Sequence, residues 1–445
     1  MASLIPCEIL SVVFSHLACI DRFRAALVCR HWRSSALTFA VLWTYARLSE
    51  FRCPGYKANV LLAFIQRSLD LPFDVECDQV DERLQLEIAH CIAANINRIR
   101  SIDWQASCGV DLWIRDAPLL HTLRLSADTR VFLPADLLGG KSGALRVLHT
   151  TGWDHTASLR ALITVSTLSL HVLEAADLLD DLFSCFPNLE TLILKWLPQT
   201  PVVSHPRVPP SLRNLFLQTL YESNDVFSYI PMWSTRATTY IHVAAPVAAL
   251  RLLSSHALEG ALKLQMCDPS IRGRGEGFII KAWLPFNCRL SVTVLGTLDT
   301  RTCCDMFNDG LLDNGSSSLS SLQSTTMPLY LLHLLMRSGR QLPALRTLKL
   351  LTAVGRNEWH CLWVLRILFM FSPVSQIVLD VARVPGVREH VPADARLLVN
   401  YIHSYGNWPG MSSVSYILRG FSAVCADSVT SQPDWAKGAD IRFDV

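Results

Sequence analysis

Ile5-Pro6-Cys7-Glu8-Ile9-Leu10-Ser11-Val12-Val13-Phe14-Ser15-His16-Leu17 opens the readable part of this 445-residue chain. Pro6 suits a first helical position, where no backbone N–H is needed, and Glu8 favours the positive end of the helix dipole. Ile9, Leu10, Val13, Phe14 and Leu17 recur at helical spacing and predict one apolar face. Asp21 can open a second helix with Phe23, Leu27 and Val28 pointing inward, and Trp32 between Arg30 and Arg33 belongs to a third. Leu42 and Trp43 close the segment. A lone core of about 40 residues rarely suffices, so this apolar surplus has two fates: cover by the rest of the chain, or cover by a partner. Partner burial gains about 1.5–3 kcal/mol per large side chain against an association cost of about 4–15 kcal/mol.

Half of the residues are hydrophobic and 18% are charged, which excludes a disordered chain. A net charge of +2 and scattered Lys and Arg argue against nucleic acid as a partner. Fourteen cysteines are spread without paired spacing and read as free thiols in a reducing compartment. The apolar run 9–14 lacks the preceding basic residues and following cleavage site of a secretory signal. The uncharged stretches 161–173, 237–250 and 367–379 fall short of the roughly 18–20 residues that span a bilayer. The expectation is a soluble intracellular protein without membrane attachment, cytoplasmic or nuclear.

The order Ile5-Pro6-x-Glu8-Ile9-Leu10-x-x-Val13-Phe14-x-x-Leu17, then Leu27-Val28-Cys29-Arg30-x-Trp32-Arg33 and Leu42-Trp43, resembles an F-box. This is the motif that ties a receptor to the Skp-type adaptor of Skp–cullin–F-box ubiquitin ligases. Ile5 stands where that family usually has Leu, and Ala18 where it often has Pro. The resemblance implies an adaptor-binding set of Ile5, Pro6, Ile9, Leu10, Val13, Phe14, Leu17, Val28, Cys29, Trp32, Leu42 and Trp43, lying in or beneath the docking surface.

Further on, one phrase recurs, a Leu followed three and five residues later by apolar residues. It appears as Leu120, Leu123 and Leu125; Leu189, Leu192 and Leu194; Leu212, Leu215 and Leu217; and Leu345, Leu348 and Leu350. Weaker copies begin at Leu145 and Val374. Apolar residues two apart point the same way on a strand, and a unit that cannot bury its apolar side alone must stack on a neighbour. The pattern resembles leucine-rich repeats, although Thr129, Pro198 and Tyr221 stand where that family's strand motif ends in Asn. Residues 59–75 predict a helix ending near Ser68 and a strand from Phe73; residues 82–96 predict a helix and 98–104 a strand. That helix-then-strand order is similar to the region after the motif in fungal F-box proteins. The expected fold class is α/β: a short three-helix F-box at 1–50, an irregular leucine-rich-repeat-like solenoid at 51–425 with strands on one side and helices or loops on the other, and a tail at 426–445.

Proline-rich residues 197–211 read as an inter-repeat loop, and 268–277, with alternating glycines but no Gly-Lys-Ser/Thr, as a flexible loop. Residues 313–326 read as a mobile insertion, and Asn314-Gly315-Ser316 within them as a turn. His149, Asp154 and His155 lack further ligands at metal spacing and read as a surface loop; Cys303 and Cys304 read as free thiols. The sequence holds no His-Glu-x-x-His, Gly-x-Ser-x-Gly or Cys-x-x-Cys. The expected function is that of a non-catalytic receptor without cofactor or metal, which docks the adaptor and, through it, a cullin. On the strands, Thr122, Arg124, Thr191, Ile193, Asn214, Phe216, Thr347 and Lys349 alternate with the leucines and would face an unknown protein substrate, unless a helix or another layer covers them. The alternative is an F-box scaffold acting outside a ligase.

Overall fold

Three short helices, α1 (Cys7–Ser15), α2 (Cys19–Val28) and α3 (Arg30–Thr38), open the computed structural model. It describes residues 5–51, 54–78, 82–105, 109–126, 131–141, 143–151, 153–154, 160–171, 182–195, 208–219, 230, 237–246, 263–267, 278–284, 288–295, 323–328, 345–353, 374–382, 415–419 and 440–444. Pro6 is the N-cap of α1, one residue before the expected position, and its carbonyl accepts the Leu10 N–H at 3.1 Å. Helix α2 starts two residues before Asp21, whose carboxylate lies in the first turn and pairs with Arg24 at 2.8 Å. The Ile20 N–H at this helix start donates to the Glu50 carboxylate, which does the capping that Ala18 cannot. Cys29 caps α3, its sulfur accepting the Trp32 N–H at 3.4 Å.

The expected single apolar face of α1 is two faces. Leu10 and Phe14, four residues apart, are buried, while Ile9, Val12 and Val13 are exposed. Consecutive helical residues lie about 100° apart, so neighbours such as Ile9 and Leu10 cannot share one narrow stripe. On α2 the inward residues are Ala25 and Ala26, small enough for α3 to pack close; Leu27 and Val28 point outward, contrary to expectation.

The chain divides into two compact units, residues 1–198 with 202–212, and 199–201 with 213–445. In the first, β1 (Tyr45–Arg47) leads directly out of the helical segment and pairs in parallel with β2 (Phe73–Cys77). The ladder continues in parallel through β3 (Ile99–Trp104), β4 (Thr122–Leu125), β6 (Val147–Thr150), β8 (Thr167–His171) and β9 (Thr191–Lys195). Two short strands, β5 (Val131–Phe132) and β7 (Trp153–Asp154), pair separately. Helices α4 (Lys57–Arg67) and α5 (Glu82–Asn95) fill the β1–β2 and β2–β3 crossovers, as parallel neighbours require a long connection. Both helices and both following strands match their predicted ranges closely.

The register explains the repeat phrase. Ala46, Val75, Ile102, Leu123, Leu148, Leu168 and Leu192 stand opposite one another across seven strands, and all are buried. The anchor positions Leu120, Leu145, Val165 and Leu189 are buried beside them. A one-residue slip would expose the whole column, so the register is strongly specified.

In the second unit β10 (Asn214–Gln218), β11 (Tyr240–Pro246) and β14 (Arg289–Leu295) are parallel. Next come β13 (Phe278–Trp283) and β12 (Lys263–Cys267), each antiparallel to its predecessor. Parallel pairing resumes through β15 (Ser324–Pro328), β16 (Thr347–Ala353), β17 (Gln376–Ala382), β18 (Ser415–Arg419) and β19 (Asp440–Asp444). This sheet is therefore mixed, which the repeat phrase did not foretell. The β13–β14 link is too short for a parallel crossover, so those strands form an antiparallel pair. Ser324 to Thr326, read as part of a mobile insertion, are strand residues in β15, and 440–444, read as tail, form β19. Thr129, Pro198, Tyr221, residues 268–277, the Asn314 turn and Cys303-Cys304 lie outside the described residues.

Candidate adaptor-docking face and outward strand face

The helical segment is built around Phe14, Leu42 and Trp43. Phe14 meets Trp32 at 5.4 Å, and Trp43 donates from its indole nitrogen to the Ala36 carbonyl at 2.9 Å. Arg22 reaches the Leu17 and Ser15 carbonyls at 3.1 and 3.2 Å and also the Leu42 carbonyl, tying the end of α1 to the closing turn. The His31 ring hydrogen-bonds the Ile5 carbonyl at 2.8 Å, which fixes the start of α1 against the start of α3.

The expected adaptor set therefore occupies two layers. Ile5, Pro6, Ile9, Val13 and Val28 are exposed; Leu17, Cys29 and Trp32 are half-buried; Leu10, Phe14, Leu42 and Trp43 lie beneath, inside the domain's own core. Exposed apolar residues that sequence reasoning left off the set are Val12, Leu27, Leu37 and Val41. Val12 was findable, because it lies three residues after Ile9 on the same helical side. Ile9, Val12, Val13, Leu27 and Val28 keep 54, 57, 48, 72 and 61% of their surface. Covering the remaining halves yields about 4–8 kcal/mol at the usual value per side chain. That is the scale of the association cost, about 4–15 kcal/mol, so such a face binds only a complementary partner that adds polar contacts.

The strand positions alternate as expected. Thr122, Thr191, Ile193, Asn214, Phe216, Thr347 and Lys349 are half-buried and Arg124 is exposed, while every intervening leucine through Leu348 is buried. The Phe216 ring packs in a tilted arrangement 5.5 Å from Tyr240 and 5.9 Å from His242. At the β1 end of the first unit the charges are internally matched. Glu76 accepts from Arg47 at 2.7 Å and Tyr45 at 2.5 Å, and Arg100 reaches Asp74 at 2.7 Å. Burial pushes the Glu76 carboxyl up, but those two hydrogen bonds outweigh it and hold the group below its ordinary range. Burial raises Asp103 despite Arg124 at 3.5 Å.

His149 is on β6 facing outward, rather than in a loop, because Leu148 beside it belongs to the buried column. Burial, with Arg124, Lys195 and His171 adding positive potential, pushes its imidazole down to about 4, so it is neutral at pH 7. His171 is lowered by burial and by Lys195. Asp154 sits on β7, and His155 lies outside the described residues. Among the described residues no three His, Cys, Asp or Glu side chains converge as metal ligands, the thiols of Cys7, Cys19, Cys29, Cys77, Cys91, Cys185 and Cys288 are unbridged, and no helix is long and apolar enough to cross a membrane.

No curated protein matches the chain. A family model described as F-box-like matches residues 2–49, the segment of α1–α3, the closing turn and β1. The N-terminal segment of this protein is thus an F-box-like domain, followed by a sheet-containing α/β region.

Proposed function

We propose that the protein is the substrate-recognition subunit of a Skp–cullin–F-box type ubiquitin ligase. F-box domains bind Skp-type adaptors, and the exposed apolar side chains of α1 and the α2–α3 junction form the docking face, with a cullin recruited through the adaptor. The observation that carries this reading is the split of α1 in the F-box-like domain: Leu10 and Phe14 complete a core, leaving Ile9, Val12 and Val13 uncovered among the described residues. The strand region is read as a degenerate, fungal-type, leucine-rich-repeat-like array that presents its outward strand residues to a target protein. The long parallel ladders and their buried leucine column support that reading. The chain is non-catalytic in this scheme; it raises the local concentration of a target beside a ubiquitin donor carried by other subunits.

The test compares ubiquitylated proteins in cells holding the wild-type chain, no chain, or the Val13→Asp/Val28→Asp variant. Proteins ubiquitylated only with the wild-type chain support the receptor. Adaptor capture without any cullin-dependent ubiquitylation replaces it with a scaffold acting outside a ligase.

A further inference from the structure

Of the 40 basic residues in the chain, 33 are Arg and seven are Lys, although Lys is among the commonest residues of soluble domains. Residues 1–140 hold 13 Arg and one Lys, Lys57. Part of this Arg usage follows from structure. Arg22 spreads its guanidinium over three carbonyls and Arg67 lays its plane over two rings, geometries that an ammonium does not reproduce. The exposed positions have no such need. Arg24, its side chain 68% exposed, meets Asp21 through one nitrogen; Arg83, 91% exposed, lies 3.6 Å from Glu87; and Arg115 is exposed. Lys would serve equally at all three.

The three Lys of the first unit differ in their access to solvent. Lys57, at the start of α4, is 4% exposed, and the Asp78 carboxylate holds its ammonium at 2.5 Å. Moving that amine out to react would break a buried pair, which is strongly destabilising. Lys195, on β9, is half-buried on the outward strand face, where the proposed target sits. Lys141 is the open one: its side chain is 71% exposed, and its pair with Asp116, itself 56% exposed, is of the surface kind that contributes little. It follows a left-handed turn at Leu138, Gly139 and Gly140, in which Gly139 lies so close to Asp116 that a Cβ would stand 2.1 Å from the carboxylate. The amine is thus presented at the surface from a closely packed turn.

We infer that the first unit is shielded from the ligase it serves, with Lys141 as the modification site left open on it. The inference rests on the proposed receptor role. Ubiquitin passes when an unprotonated Lys nitrogen attacks the thioester carbonyl that joins ubiquitin's C-terminus to a cysteine of the donor. A C–N bond forms, the C–S bond breaks, and the departing thiolate takes up the proton that the nitrogen releases. A guanidinium keeps its proton and does not make this attack, so an Arg beside the donor is inert where a Lys would be consumed. A receptor that holds targets beside such a donor presents its own surface to it as well. Arg in place of Lys at exposed positions keeps the charge and removes the acceptor, and the burial of Lys57 removes the one Lys that precedes Lys141.

The test has two arms, both on the full-length protein. In the first, acetylation of the free protein by an N-hydroxysuccinimide ester, which needs no ligase, is followed by mass spectrometry; Lys141 should react about tenfold or more faster than Lys57. In the second, the protein is assembled with adaptor, cullin and a ubiquitin-charged donor, and the Gly-Gly remnants that ubiquitin leaves on tryptic peptides are mapped. Remnants in residues 1–198 should fall on Lys141 and disappear with Lys141→Arg. Arg83→Lys and Arg115→Lys, both conservative and exposed, should each gain a remnant and together raise modification of that region about twofold or more. Equal acetylation of Lys57 and Lys141, a remnant on Lys57, an unmodified Lys141, or failure of both introduced Lys to take up ubiquitin overturns the inference. A wild type that does not assemble with adaptor and cullin overturns the receptor role instead, and the acetylation arm still reads the accessibility of each amine.

Discussion

The guanidinium of Arg67, at the end of α4, lies over the indole of Trp43, 4.4 Å from its centroid, and 4.8 Å from the Phe23 ring. Trp43 closes the F-box-like domain, and Arg67 belongs to the region that follows. Phe64, also on α4, packs on both rings, 5.6 Å from Phe23 and 5.3 Å from Trp43. The domain's core therefore continues into the first crossover helix. Arg67→Ala should lower the stability of the whole first unit by about 1–2 kcal/mol, the scale of a desolvated cation–π contact. A denaturant midpoint equal to that of the wild type would show the contact to be idle.

Cys29 offers α3 a weak sulfur acceptor where helices favour oxygen. Cys29→Ser should strengthen the cap and raise stability by about 0.5–1 kcal/mol. Thermal melts of the two proteins at one pH check this; a lower melting temperature would mean that the sulfur is held by packing and not by its acceptor role.

His149 is neutral in the folded protein down to about pH 4, whereas an unfolded chain protonates it near the ordinary 6.5. Between those values the unfolded state binds the extra proton, so this residue's contribution to stability is complete above about 6.5, falls as the pH drops toward 4, and levels off below. His149→Gln should flatten that part of the stability-versus-pH curve. Parallel curves for variant and wild type would contradict the assignment.

How far the sequence could be read follows from which physical signal each element carries. The strands with leucines two apart, such as β4 and β9, are legible because an alternating pattern with one buried face leaves a single register. Strand β8 carries the same signal in Val165, Leu168 and Leu170, all fully buried, and a search widened from Leu to any apolar anchor finds it. The antiparallel pairs of β12, β13 and β14 have no such signature, because pairing direction is set by connection length and not by apolar spacing. In the helical segment, periodicity identified α1 but merged its inner and outer faces. Leu27 and Val28 were misplaced because hydrophobicity suggests burial, while the closeness of α2 and α3 favours Ala25 and Ala26 at the contact. The proximity of Arg124, His149, His171 and Lys195 was illegible for another reason: they are far apart along the chain and become neighbours only through the ladder register.

The two layers of α1 also separate binding from folding. Leu10 is buried, so Leu10→Asp places an unpaired charge in the core and should unfold the domain. Ile9→Asp puts the charge in water and should leave the unfolding free energy within about 0.5 kcal/mol of wild type. Equal destabilisation by both substitutions would erase the distinction.

The affinity of a purified Skp-type adaptor for the full-length protein, measured by calorimetry on the wild type and on the folded Ile9→Asp/Val13→Asp variant, tests the central claim most directly. Saturable one-to-one binding that the variant loses by about a hundredfold or more, with its circular dichroism unchanged, is the predicted result. Binding that survives both charges, or a wild type that does not bind the adaptor, would contradict it.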